Sequence, residues 1–550
     1  MIKCQKIFAE KNGEKMILEF DNFRDSRDEM LNLFNALSEC HTKNADVLHF
    51  SKGEYHFSDE FAFEIVLCIS NHGENGFKRT AFLLENKDKF VIDGGGSHFV
   101  FDSVMNMITV LNCKNIVLKN FTVSMPIAPY PEGRVVAVSE NYFDVEFSYH
   151  NELVVEENDL LIPTGDRFER AVCNIEFNGE THEIEYGTGD QTAGIPLYQL
   201  KKEKIGANTV RFYDAPRIPK IGNVLALMIG RRHVAGLFFD GCEDVKIENV
   251  TINSCVGIGI MAQRCRNITV SGCSVTSADG KYVSSGADAT HFVGCMGKII
   301  VQDCLFEHML DDALNVHGIY LKVHHSKEKK AIVKFCNSTS TGLKLFKRGD
   351  RICEMDSRTL LPETEATVLE AKKINNELIE LTFNEPVKLS EGNVIENLTT
   401  YPELILRSSV IQNNRARGIL IATKHCVIED CDFHTSGSAI LLECDGRFWY
   451  ESGAVKNIII KNNRFLGCKY ATWESGIISV PQRAISAKNR YYHGTVSIIG
   501  NTFNLCYDDV VYADNIAELV YKDNVSDIEQ VLNIANIGKT DIQLETTLKN

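Results

Sequence analysis

The chain has no run approaching the roughly 20 apolar residues that a membrane-spanning helix needs. It has no extended basic run either, and its formal net charge is −16. Nucleic acid and anionic membrane are thereby excluded as main partners. No CxxC pair stands out among the 18 cysteines, and their density is below that of a disulfide scaffold. Buried thiols stacked in a core, in a reducing compartment, are the reading that remains. The start, MIKCQKIFAEKNGEK, carries no apolar leader segment. As written, the sequence reads as cytoplasmic; export with a removed leader stays open. Only two tryptophans are present, Trp449 and Trp473.

What is present is a repeat. Hydrophobic residues make up 44% and charged residues 24% of 550 residues, enough for a large core in three or four units of ordinary domain size. An alternating apolar strand, a polar pair and a second short apolar step recur as IVLKNFTV (116–123), VKIENVTI (245–252), ITVSGCSV (268–275) and IIVQDCLF (299–306). They recur again as LILRSSVI (404–411), CVIEDCDF (426–433), IIIKNNRF (458–465), VSIIGNTF (496–503) and LVYKDNVS (519–526). Equivalent positions lie 23 residues apart at Ile252–Val275, 31 at Val275–Phe306, 22 at Ile411–Phe433 and 32 at Phe433–Phe465. That period suits one coil of a parallel β-helix, with every second residue inward and the polar pair at a bend. The leucine–asparagine signature of a leucine-rich repeat is missing, and a propeller needs a longer period.

The expected fold is therefore all-β: a right-handed parallel β-helix with two inserted small β-barrel domains and an N-terminal cap. Residues 1–60 read as the cap, with a helix over Asp25–Cys40 and a strand–turn–strand over Val47–Phe57. Residues 1–127 hold the cap and first coils, 128–228 the first barrel, and 229–319 further coils. Residues 320–400 form the second barrel, and 401–550 the last coils and a weak closing tail. HHSKEKKA (324–331) reads as a solvated hairpin tip.

The densest chemistry lies in SSGADATHFVGCMGKIIVQDCLFEHMLDDALNVHG (284–318). Asp288 follows one coil strand and Asp311–Asp312 follow the next, so they can meet on one side of the solenoid. Both neighbours facing a cleft requires a bent backbone, which a corner supplies. Glycoside hydrolysis uses two carboxyl groups, ~6.5–9.5 Å apart in inverting enzymes and ~5–5.5 Å apart in retaining ones. Crowded aspartates raise one pKa, the shift an acid needs. His291, His308 and His317 have spacings that match no standard metal site, and no metal or cofactor is expected. His291, Asn315 and His317 read as substrate contacts, with packed histidine as the other reading for the imidazoles. A second cluster, ECDGRFWYESG (443–453), offers Trp449 as a stacking surface and Glu443, Asp445 and Glu451 as hydroxyl partners. The structural alternatives are a turn cap for each aspartate, a stacked corner for Asn315 and plain core for Trp449.

At these residues the chain resembles glycoside hydrolase family 110, the α-1,3-galactosidases. The motifs are SGADA (285–289), His291-Phe292 and DDALNVHG (311–318), supported by WYESG (449–453). The resemblance implies an exo-acting, inverting, metal-free enzyme that removes terminal α-1,3-linked galactose, as in blood group B or linear α-galactosyl glycans. It implies catalysis by Asp288, Asp311 and Asp312, with Asp312 or Asp311 as one partner and Asp288 as the other or its support. The expected partner is a galactose-terminated glycan; the oligomeric state stays open, a dimer included. Two other readings remain. A β-helix polysaccharide lyase would need Ca²⁺ and a basic residue, yet only Lys298 lies between Asp288 and Asp312. A non-catalytic carbohydrate-binding solenoid would show rows of aromatics rather than one acidic cluster.

Overall fold

The computed structural model describes residues 10–544, apart from 13–14, 27, 74, 129, 149–151, 165–166, 482 and 528. The first nine residues of the expected cap and the last six of the tail lie outside the described residues.

Each coil contributes three short strands. Thr290–Val293, Met296–Gln302 and Leu305–Glu307 form one coil. They pair in parallel with Ile260–Gln263, Arg266–Ser271 and Ser274–Val275 of the coil before. The repeat read from sequence is this register: Ile252 pairs with Val275, Val275 with Phe306, Phe306 with Ile411, Ile411 with Phe433, and Phe433 with Phe465. The inward rings stack, with Phe465 4.8 Å from Phe503 at 6° and 5.1 Å from Phe433 at 13°. Each such burial stabilises by about 1.5–3 kcal/mol.

The polar pair sets the bend. Its second member turns left-handed in coil after coil: Asn120, Asn249, Gly272, Asp303, Asp430, Asn462 and Gly500 all have φ between 54° and 66°. Asn, Asp and Gly tolerate that region best. The next residue points inward and builds a buried column. Cys273, Cys304, Ser409, Cys431, Asn463, Asn501 and Asn524 succeed one another there. The amide of Asn463 donates to Asn501, and that of Asn501 to Asn524, at 3.0 Å each. No disulfide joins any described cysteine, and most of these thiols are buried.

The cap differs from expectation in one respect. The helix runs Glu29–Thr42, started by Asp28, whose carboxylate accepts from the amides of Met30 and Leu31 at 2.8 and 3.3 Å. Val47–His49 and Glu54–Phe57, however, do not pair with each other. Both lie parallel on one long strand, Asp88–Phe101. They are already a coil with a corner between them, and Lys15–Glu19 lies parallel on Val47–His49 beyond it, so the end is closed by this strand and the helix together. The tail is a strand too, Leu532–Ile542, laid parallel on Val511–Lys522.

Both insertions flank one sheet of the solenoid. The first leaves after Lys114–Ser124 and returns at Leu237–Asp240. It is an antiparallel sheet of eight strands, from Val154–Glu156 at one edge to Lys202–Lys204 at the other. The sheet curls until side chains bridge the edges: the Lys202 amide donates to Asn158 Oδ1 at 3.1 Å. The second insertion is a closed six-stranded barrel whose first and last strands, Leu321–Lys327 and Val394–Asn397, pair. HHSKEKKA forms its first hairpin, between Leu321–Lys327 and Lys330–Phe335.

Candidate active site

The sheet between the two insertions carries Thr290–Val293, Leu314–Ile319, Ile419–Ile421 and Ile440–Leu442 in parallel register. Inward residues Phe292, Leu314 and Val316 fill the solenoid core. Alternation therefore turns His291, Asn315 and His317 outward. The residue two places before each strand stands at the corner. Reading the register back from the strands, Asp288, Asp312 and Arg417 occupy one position on three successive coils. Asp311 precedes Asp312 at a bend in the chain. Gly286 is required here, because a Cβ would lie 2.1 Å from the carbonyl of Val256.

The nearest oxygens of Asp288, Asp311 and Asp312 lie within 4.8 Å of one another. All three line a cavity of about 930 Å³, at the upper end of the ~300–1,000 Å³ of small-molecule sites. Arginines hold two of them. Arg417 grips Asp312 with two N–H···O bonds of 2.9 Å. Asp311 accepts from Arg415 at 2.9 Å and from Arg232. A cation would have to displace these guanidinium groups, so the trio does not suit a metal.

The environments push the carboxyls apart. Burial disfavours ionisation of Asp311, yet Arg415, Arg232 and Arg417 outweigh it and hold Asp311 at about 2. Burial drives Asp288 up to about 8, with Asp311 adding to it. Burial also raises Asp312; Arg417 opposes this, and the neighbouring Asp311 and Asp288 reinforce it.

Of the residues expected to touch substrate, five line the cavity: Asn315, Glu443, Asp445, Trp449 and Glu451. Asn315 Oδ1 is buried and has no hydrogen-bond partner among the described residues, so it is an acceptor awaiting a donor. Trp449 is 49% exposed, with Phe448 edge-on 4.9 Å away; it is a lip, not core. Glu443 is forked by Arg483 at 2.7 and 3.0 Å. One expectation is corrected. His291 and His317 do not line the cavity; they lie fully buried behind Asp288, because the outward face of their strands is covered there. Asp445 lines the cavity while its carboxylate accepts from the amides of Arg447, Phe448 and Trp449. His308 faces Ser277 instead, 3.0 Å from its hydroxyl.

The arginines were missed, and they answer the objection raised against a lyase that basic residues are scarce. They come from outside the 288–312 window: Arg232 from the end of the first insertion, Arg415 and Arg417 from the coil after the second. Aligning GADA, LDDA and RARG on their coil positions exposes the column. Asn71, Asp190 and Trp473 were missed too. Trp473 donates to Asp190 at 3.1 Å, and Asp190 is forked by Arg415 at 2.7 and 2.8 Å.

Comparison with known proteins agrees with this architecture. The model described as GLAA-B beta-barrel domain I matches residues 131–225, and that of the right-handed beta helix region matches 235–342. The chain is 30% identical to alpha-1,3-galactosidase B of Bacteroides thetaiotaomicron over 88% of its own length and 80% of the relative. It is 31% identical to alpha-1,3-galactosidase B of Parabacteroides distasonis, covering 87% and 81%. It is also 31% identical to alpha-1,3-galactosidase A of Shewanella woodyi, covering 87% and 80%. With relatives at 30–31% identity over most of both chains, the chain belongs to the α-1,3-galactosidases of glycoside hydrolase family 110.

Proposed function

We propose that this protein is an exo-acting glycoside hydrolase that removes terminal α-1,3-linked galactose from oligosaccharides or glycoconjugates. The observation that carries the reading is the column of Asp288 and Asp312 beside Asp311, with their affinities for protons driven apart, in a cavity of sugar-sized polar walls. Asp312 is the acid: burial and two neighbouring carboxylates keep its proton on. Asp311, ionised and ringed by arginines, faces the positive charge that grows on the sugar ring as the glycosidic bond breaks. Asn315 Oδ1 takes a sugar hydroxyl, Trp449 stacks on the apolar face, and Glu443 and Glu451 accept further hydroxyls.

Inversion is proposed on the family resemblance. The crowding of the aspartates is nearer to the ~5–5.5 Å of a retaining pair than to the ~6.5–9.5 Å of an inverting one. The anomer first released is therefore the deciding measurement. Incubation with terminal α-1,3-galactosyl oligosaccharides, followed by NMR, is expected to show β-galactose first. The α-anomer first would overturn inversion, and no galactose from any such substrate would overturn the activity.

A further inference from the structure

Tyr186, Leu466, Leu505 and Tyr507 are large apolar side chains, yet each is between 52% and 64% exposed. All four line one concavity of about 450 Å³, where the first insertion meets the late coils. The rings of Tyr186 and Tyr507 meet edge to face, 5.4 Å between centroids at 62°. Leu466 ends the strand Arg464–Leu466, and alternation turns it out of the core beside the buried Phe465. Leu505 follows the next coil's strand, Thr502–Asn504, at φ 52°, a conformation that leucine disfavours. Apolar groups gathered on a surface in this way mark a binding site.

Polar groups with spare capacity stand among them. Asn178 Oδ1 accepts from the amides of Glu180 and Thr181 at 3.0 and 3.1 Å, while its Nδ2 has no partner among the described residues. The hydroxyls of Tyr186 and Tyr507 have none either. Glu183 offers carboxylate oxygens, with Oε1 3.0 Å from His434 Nε2. No lysine or arginine is among the described residues that line the concavity, so it does not suit an anion. Four half-exposed side chains also fall short of the ~800 Å² per partner of a stable protein interface. Flat apolar faces ringed by hydroxyl, amide and carboxylate groups match a neutral pyranose, which has a C–H face and hydroxyl edges.

The concavity backs onto the catalytic cavity. The Gly187 amide donates to the Tyr470 carbonyl at 2.9 Å, and the Thr472 amide to the Thr188 carbonyl at 3.1 Å. Two segments thus run side by side, from Tyr186 and Tyr470 at the concavity to Asp190 and Trp473 at the aspartates. Four residues span at most ~14 Å. A glycan with its terminal galactose among the aspartates has only this seam to cross.

We propose that the concavity is a second sugar-binding site, taking a neutral pyranose from another arm of the glycan whose terminal galactose occupies the catalytic cavity. The proposal rests on the glycan-hydrolysing reading above. Tyr186 and Tyr507 supply stacking faces, Leu466 and Leu505 the apolar wall, and Asn178 and Glu183 the hydroxyl partners. Engagement of this site adds affinity for branched glycans without touching the bond that breaks.

The test is the double variant Tyr186→Ala, Tyr507→Ala, which removes two exposed side chains and is expected to melt with the parent. On the disaccharide α-galactosyl-1,3-galactose, too short to cross the seam, kcat and KM are expected to match the parent's. On a biantennary oligosaccharide with α-1,3-galactose on both arms, KM is expected to rise about tenfold. Equal losses on both substrates, or none on either, would overturn the proposal. Titration with the same oligosaccharide lacking its α-galactose, followed by saturation-transfer NMR, is expected to show binding to the parent and not to the variant. Binding that survives in the variant would overturn the site. So would a parent dimer in sedimentation that the variant loses, since a second copy would then cover the patch. Sugar binding lost in the variant, with no galactose released by the parent, would uphold the site and sink the hydrolytic reading instead.

Discussion

Arg417 stands one coil beyond Asp312 in the same column and closes on both its oxygens at 2.9 Å. The two residues are 105 apart in the chain. A purely structural pair so deeply placed contributes little net stability, but removing one partner leaves the other stranded. Arg417→Met is expected to cost about 3–5 kcal/mol and most of the activity. Loss of the cation raises Asp312 further. Thermal melts and galactose release of both proteins check this; a variant as stable and as active as the parent would contradict it.

Asp311 behaves oppositely. Held at about 2, against an ordinary value near 4, it contributes stability that is present above pH 4 and lost as pH falls towards 2. Asp311→Asn leaves Arg232 and Arg415 without that charge. It is expected to lower the urea midpoint at pH 7 and to approach the parent near pH 3. Activity should fall by about 10² or more.

Asp288, at about 8, keeps its proton in the fold where the unfolded chain has lost it. Across roughly pH 4 to 8 the native state binds more protons, so this residue makes the protein less stable as pH rises. Asp288→Asn keeps a hydrogen-bonding group against His291 and has nothing to titrate. Its melting temperature relative to the parent is expected to climb from pH 5 to pH 8, while its rate falls on the order of 10²-fold. A constant difference across that range would show that the carboxyl is not raised.

Trp449 lies half exposed at the lip. Trp449→Ala is expected to raise KM about tenfold, equivalent to ~1.4 kcal/mol, with kcat near that of the parent. Stability should stay within about 0.5 kcal/mol. Steady-state kinetics beside a melting curve separates the two effects; a falling kcat with constant KM would place Trp449 elsewhere in the reaction.

The solenoid was legible because its signal is local. Alternation and a polar pair in each eight-residue frame fixed which residues point inward, and the paired positions Val275, Phe306 and Phe433 fall where that frame puts them. Asp288 meeting Asp311–Asp312 followed from the same frame. The arginines did not follow, because the column passes through an insertion: Arg417 sits next to Asp312 only once the barrel is set aside. The histidines were visible, but their place was not. They point out of the solenoid core, but the sheet's outer face is covered there and both are buried. The two strands of Val47–Phe57 are where the sequence puts them, but they belong to the first coil rather than to the cap, since both pair with Asp88–Phe101.

The closed barrel has a consequence for how the chain assembles. The solenoid strand ending at Ile319 and the next, beginning at Glu403, belong to one coil. Bringing them together across so long a loop is entropically costly if the loop is unstructured. The barrel removes that cost, because Leu321 and Ile395, near its two ends, are paired neighbours. Once the barrel has folded, the solenoid crosses it as if by a short turn. Order of folding is thereby written into the connection: barrel first, then the coil that carries Arg417, and only then a completed acidic column. Mutations that slow the barrel should delay the appearance of the cavity without changing its final form.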